Sequence, residues 1–70
     1  MNSEFYVKLG QNIKHRRKEL GLTQQELADK MNISLNFMGK IEVAFSKPSL
    51  DTLIELSNAL ETTVSDLTRF

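Results

Sequence analysis

The sequence contains no cysteine, so neither a disulfide nor a thiolate metal site can hold the fold together. Its one histidine, His15, has no carboxylate cluster beside it at ligand spacing, which leaves a metal centre without donors. No apolar run approaches the roughly 18–20 residues of a membrane span, and the N-terminus lacks the apolar core of a signal peptide. A soluble, cytoplasmic protein with no cofactor and no membrane partner is the expectation. Sustained alternation of apolar and polar residues is also missing, so strands are not expected. An enzyme is not expected either. There is no nucleophile–base pair, carboxylate dyad or phosphate-cradling glycine loop, and so short a chain offers scant room for a small-molecule site.

Charge of one sign is lacking as well: nine Lys and Arg balance nine Asp and Glu. The average hides an asymmetry. Residues 1–48 hold eight basic against five acidic side chains, a balance of +3, and residues 49–70 hold one against four, a balance of −3. A neutral chain with a basic section can still bind phosphate, because binding follows the local field; an ordinary solvated surface is the other reading. Seventy residues make a single domain, 1–70. A chain of this size buries only about 60% of its unfolded surface, so its core is thin and a second copy would help.

What is present is helical spacing throughout. Phe5, Leu9, Ile13 and Leu20 mark one stripe of a first helix, roughly residues 3–20, which Gly21 stops. "TQQE" offers a capping box, Thr23 with Glu26, for a second helix to about Met31 with Leu27, Ala28 and Met31 inward. Asn32 tolerates the left-handed turn that must follow, and Ser34 can cap a third helix, about residues 35–42. So short a link forces a sharp angle, and Ala28 is small enough for close approach. That is the geometry of a helix-turn-helix. Pro48 disfavours helix at Lys47, and Ser49 is placed to cap a fourth helix in which Leu50, Leu53, Leu56 and Leu60 repeat at three and four. Thr63 and Asp66 suggest a last short helix ending near Phe70. The expected fold class is all-α, five helices around one core.

One stretch resists a purely structural account. In "NISLNFMGKIE", residues 32–42, Ile33, Met38 and Ile41 keep the helical beat while Asn36, Gly39 and Lys40 face the other way. Gly39 costs the helix about 1 kcal/mol relative to alanine.

The run "LGQNIKHRRKELGLTQQELADKMNISLNFMGKIE…KPSLDTLIELSNALETTVSDL", about residues 9–67, resembles the DNA-binding domain of the phage lambda repressor and Cro family. The resemblance implies a compact five-helix fold whose third helix enters the major groove, as a dimer on a symmetric operator. It implies a sequence-specific transcriptional regulator of double-stranded DNA, a small repressor or controller with a palindromic site. Residue by residue, it puts Leu35, Asn36, Gly39 and Lys40 at base-facing positions. Asn can bind adenine N6 and N7, Lys can donate to guanine, and Leu35 can meet a thymine methyl. Gln24 matches a phosphate-contacting glutamine at a helix start. Lys47 is the best placed of the other basic residues, among Lys14, Arg16 and Lys18, for a second phosphate. Phe37 either packs near the sugar-phosphate backbone or belongs to the core. Arg17 and Glu42 match a salt bridge joining the first helix to the end of the third, and Val64, Leu67 and Phe70 fall where the family dimerises.

The run "EVAFSK" departs from the family pattern of a polar residue and glycine after the glutamate. Ala44 stands at a left-handed position that glycine would take freely, and Asn32 and Glu61 also replace family glycines. Val43, Ala44 and Phe45 form an apolar loop that suits an alternative function on the same fold, a protein-interaction module such as an antitoxin or antirepressor.

Overall fold

The computed structural model describes residues 3–70, in which five helices follow one another: α1 (Ser3–Glu19), α2 (Gln24–Met31), α3 (Leu35–Glu42), α4 (Leu50–Ala59) and α5 (Val64–Leu67). A hydroxyl caps each of the last four. Thr23 and Glu26 form the capping box, with Thr23 N–H donating to Glu26 Oε1 at 2.8 Å and Glu26 N–H to Thr23 Oγ1 at 3.0 Å. Ser34, Ser49 and Thr63 accept in the same way from Phe37, Thr52 and Asp66.

The first four helices end alike. In each, one N–H reaches back five residues and the one before it reaches back three: Leu22 to Arg17 and Gly21 to Lys18, Ile33 to Ala28 and Asn32 to Asp29, Phe45 to Lys40 and Ala44 to Ile41, Thr62 to Ser57 and Glu61 to Asn58. This is the Schellman closure, and its left-handed residue is Gly21 (φ 73°), Asn32 (57°), Ala44 (64°) or Glu61 (56°). Only the first is a glycine. Ala44 and Glu61 hold a conformation that costs an L-residue roughly 1–2 kcal/mol.

The core is Leu9 and Ile13 from α1, Leu27 and Ala28 from α2, Met38 and Ile41 from α3, Leu53 and Leu56 from α4, and Leu60 and Leu67 beyond. α1 lies against α3 and α5, α2 against α3 and α4, and α4 against α5. Two expectations need correcting. Leu50, the first residue of α4, is 67% exposed although it keeps the beat of Leu53, Leu56 and Leu60. Periodicity gives direction around a helix axis, not how far along it the neighbouring helices reach. α5 stops at Leu67 rather than near Phe70: Thr68 caps it, turning its hydroxyl back onto the Val64 carbonyl at 2.8 Å. The Asn12 amide of α1 donates to Leu67 O at 2.9 Å and to Arg69 O at 3.3 Å, pinning the chain that follows.

Two features set α3 against α1. Gly10 makes the close approach possible: a Cβ there would lie 2.8 Å from the Ile41 carbonyl oxygen and nearer still to that of Glu42. Beside it, Arg17 grips Glu42 with two N–H groups, Nε to Oε2 at 2.7 Å and Nη2 to Oε1 at 3.1 Å, while Nη1 donates to the Leu22 carbonyl at 2.8 Å. Both residues are buried, at 7% and 5% exposure. Gln24 Nε2 donates to Glu42 Oε1 at 3.0 Å, so the carboxylate also holds the first residue of α2. The end of α1, the turn into α2, the start of α2 and the end of α3 meet on one ion pair.

Gly10→Ala is expected to lower stability by about 1–3 kcal/mol through overpacking against backbone, although helix propensity alone favours alanine by about 1 kcal/mol. Denaturant unfolding checks it; a variant as stable as the parent would show that α1 can move off α3 freely. Arg17→Ala leaves Glu42 buried without its partner and should lower stability by about 3–5 kcal/mol. Arg17→Met combined with Glu42→Leu should regain part of that loss. A single variant with an unchanged unfolding midpoint would mean the pair does not hold the helices together.

Candidate nucleic-acid interface

The outward face of α3 follows from the inward one. Met38 and Ile41 fill the core, so the 100° step of the helix turns Asn36, Gly39 and Lys40 together on the far side. Asn36 is exposed and Lys40 is half-buried. Leu35 flanks this strip and is exposed. Phe37, read from sequence as either a backbone contact or core, packs against the core from a half-buried position.

Gly39 has space around it. A Cβ built there meets only Gln24 Oε1, at 3.9 Å, which is ordinary contact. Gly10 and Gly21 are required by packing and by φ, respectively; nothing in the packing or backbone angle requires Gly39. Gln24 lies with its Nε2 on Glu42 and its Oε1 beside Gly39, at the edge of the same face. The side chain of Glu42 is 1% exposed. Enclosed by Arg17 and Gln24, it presents no carboxylate to a phosphate approaching the end of α3.

The loop between α3 and α4 carries the remaining features. Phe45 is 79% exposed, and Val43 is nearly as open. The Lys40 ammonium stands 5.8 Å from the Phe45 ring centroid. Lys47 is set over the Tyr6 ring at 5.3 Å. Tyr6 is held edge-on by Phe5 at 5.1 Å, and Phe5 in turn by Phe70 at 5.2 Å. Neither Tyr6 nor Phe45 carries a signal in the sequence that singles it out as a partner for a lysine.

Much of the basic excess of the first 48 residues is used within the fold. Arg16, considered from sequence as a phosphate contact, donates through Nε to Leu60 O at 2.9 Å and through Nη2 to Glu61 O at 3.1 Å. Lys30 donates to Ala59 O at 3.1 Å. These cations sit at the negative end of α4, where the helix dipole favours them. At the expected dimer face, Leu67 is 2% exposed and closes the core of its own protomer, so it has no surface to offer a partner. Val64 is half-buried against the same core, and Phe70 is 54% exposed.

Among the described residues no group of three or more His, Cys, Asp or Glu could hold a metal, and no helix is long and apolar enough to cross a membrane.

A helix-turn-helix family model (HTH_3) matches residues 13–67. The chain is 40% identical over 52 residues to the HTH-type transcriptional regulator ImmR of Bacillus subtilis, covering 74% of this chain and 41% of that protein. It is 46% identical over 57 residues to the immunity repressor protein of Bacillus phage phi105, covering 81% of this chain and 40% of the repressor. The chain thus spans about two fifths of the length of these curated relatives. Among solved structures, the biofilm regulator SinR in complex with DNA superposes with a TM-score of 0.81 at 34% identity, over 87% of this chain and 98% of that one. With α2 and α3 meeting across the Asn32 turn as a helix-turn-helix requires, the chain belongs to the helix-turn-helix family of lambda repressor and Cro type.

Proposed function

We propose that the protein is a sequence-specific transcriptional regulator of double-stranded DNA, a small cytoplasmic repressor or controller that lays α3 in the major groove. The observation that carries this reading is Gly39. A glycine that neither packing nor φ demands sits mid-helix between Asn36 and Lys40, on the face opposite the core. A groove-bound helix explains it, because the missing side chain lets backbone approach the duplex while Asn36 and Lys40 reach base edges. Gln24 and Lys47 flank that strip and are the candidates for phosphate contact. Val43 and Phe45, open to solvent, favour the protein-interaction reading instead.

One recognition helix with about four base-reading side chains selects a site poorly, so the regulator works as a homodimer on a palindromic operator, its half-sites one helical turn or roughly 34 Å apart. Exposed Phe70, edge-on to Phe5, is the leading interface residue, and half-buried Val64 is the second candidate.

Titration with a duplex selected from random sequence, and with a scrambled one, is expected to show affinity falling steeply with salt. Each neutralised phosphate adds about 0.9 to the log–log slope. Saturation should come at two protomers per palindromic duplex. Equal and negligible affinity for both duplexes would overturn the regulator reading and promote the protein-interaction one; one protomer per duplex would overturn the dimer.

The outer face of α3 can be tested residue by residue. Gly39→Ala should raise stability by up to about 1 kcal/mol and yet weaken binding of the selected duplex. Asn36→Ala and Lys40→Ala should each lose about 1–3 kcal/mol on that duplex and relax preference at one or two base pairs. Unfolding curves and selection experiments on the three variants check both parts. A uniform loss across all sequences would make Asn36 and Lys40 phosphate contacts.

A further inference from the structure

We infer that Phe45 is a positioning residue for Lys40, through which the loop after α3 sets the base preference of the helix. This rests on the regulator reading above and gives the apolar loop a part in it. The geometry begins with the end of α3. Ala44 turns left-handed at φ 64°, and the Lys40 carbonyl accepts the N–H groups of both Phe45, at 2.7 Å, and Ser46, at 3.1 Å. The loop is thereby folded back onto the residue whose side chain it must meet. Phe45 does not enter the core; its ring is 79% exposed and stands 5.8 Å from the Lys40 ammonium.

The chemistry of that partner matters. A carboxylate at the same place would occupy the ammonium donors and repel phosphate. A ring face attracts the cation through its quadrupole without a strong acceptor atom that would compete for its three N–H donors. Lysine is among the side chains with most rotamer freedom, and restricting it before binding lowers the ordering cost of the complex. Lys40 is thus held beside the outer face of α3 with its donors available for guanine O6 or N7. An exposed phenylalanine in a loop of a water-soluble helical domain has a reason here that packing does not supply.

The test is a double-mutant cycle on the selected duplex, using Phe45→Leu, Lys40→Met and the pair. Nuclear magnetic resonance of the free chain supplies an independent readout. Phe45→Leu keeps the apolar bulk and removes the π face, so affinity should fall about two- to fivefold, the range for an exposed cation–π contact. Preference should relax at the same base pair that Lys40→Met relaxes. In the Lys40→Met background Phe45→Leu should have no further effect, and Phe45→Trp should retain parental binding. In the free chain the Lys40 ε-methylene protons should be shifted upfield by the ring and return to ordinary values in Phe45→Leu. An equal loss in both backgrounds, or a loss spread evenly over all sequences, would overturn the inference by making Phe45 a direct contact. Unshifted Lys40 protons in the parental chain would overturn it by removing the pairing itself. A shifted Lys40 together with no duplex binding by the parental chain would overturn the regulator reading, and the specificity role with it, while leaving the contact in place.

Discussion

Arg17 does three things with one guanidinium. It takes both oxygens of Glu42, it takes the Leu22 carbonyl in the turn between α1 and α2, and by fixing Glu42 it gives Gln24 an acceptor. The angle between α2 and α3 is set by their own short turn, and beside the packing of α2 on α4 and of α3 on α1 this cluster ties both helices to the end of α1. A buried ion pair of this kind is a poor source of net stability, since the desolvation of two charges offsets much of their attraction. Its value is directional. A planar fork matched to a planar carboxylate accepts one arrangement of the two helices, where a greasy contact would accept many. The same burial removes a negative charge from the end of the helix proposed to read DNA.

The helix ends show how a short chain without disulfides closes its turns. The same closure appears four times, and two of the four left-handed positions are held by residues that disfavour it. Near one of these, Glu61, side chains from distant helices add hydrogen bonds. Arg16 and Lys30 donate to the last carbonyls of α4 just where Glu61 turns left-handed, and Asn12 ties down the chain leaving α5. Two cations of the basic N-terminal section are therefore used on backbone carbonyls at the end of α4, while the ion pairs among the described residues stay within their own section.

Stability and the proposed function pull in opposite directions on α3. An alanine would suit its solvent face better than Gly39, and the capping at Ser34, the packing of Met38 and Ile41 and the Glu42 cluster hold it in place despite that loss. A rigid scaffold carries an intrinsically weak helix. The departure from the family's loop pattern fits the same scheme: the chain that turns back through Ala44 places an aromatic ring beside the one lysine of α3, on the face proposed to read DNA.

Local chemistry was enough to give the helices and their order from the sequence, because a hydroxyl cap, a left-handed turn residue and a 3.6-residue beat act within a few residues. The stops at Gly21 and Asn32 and the caps at Thr23, Ser34, Ser49 and Thr63 are all where the sequence puts them; the left-handed turns at Ala44 and Glu61 fall where the family resemblance has glycine. The pairing of Arg17 with Glu42 and the roles along α3 came from family resemblance, not from spacing. What only the tertiary structure decided is which residues meet across the chain. Leu50 is exposed despite sharing the beat of core leucines, and Leu67, which the resemblance puts at the dimer face, is enclosed. Gly10 is demanded by a carbonyl more than thirty positions away, Arg16 is turned inward onto Leu60, and Phe45 finds Lys40. Periodicity fixes the direction in which a side chain leaves its helix; whether anything stands in that direction depends on how the helices are assembled.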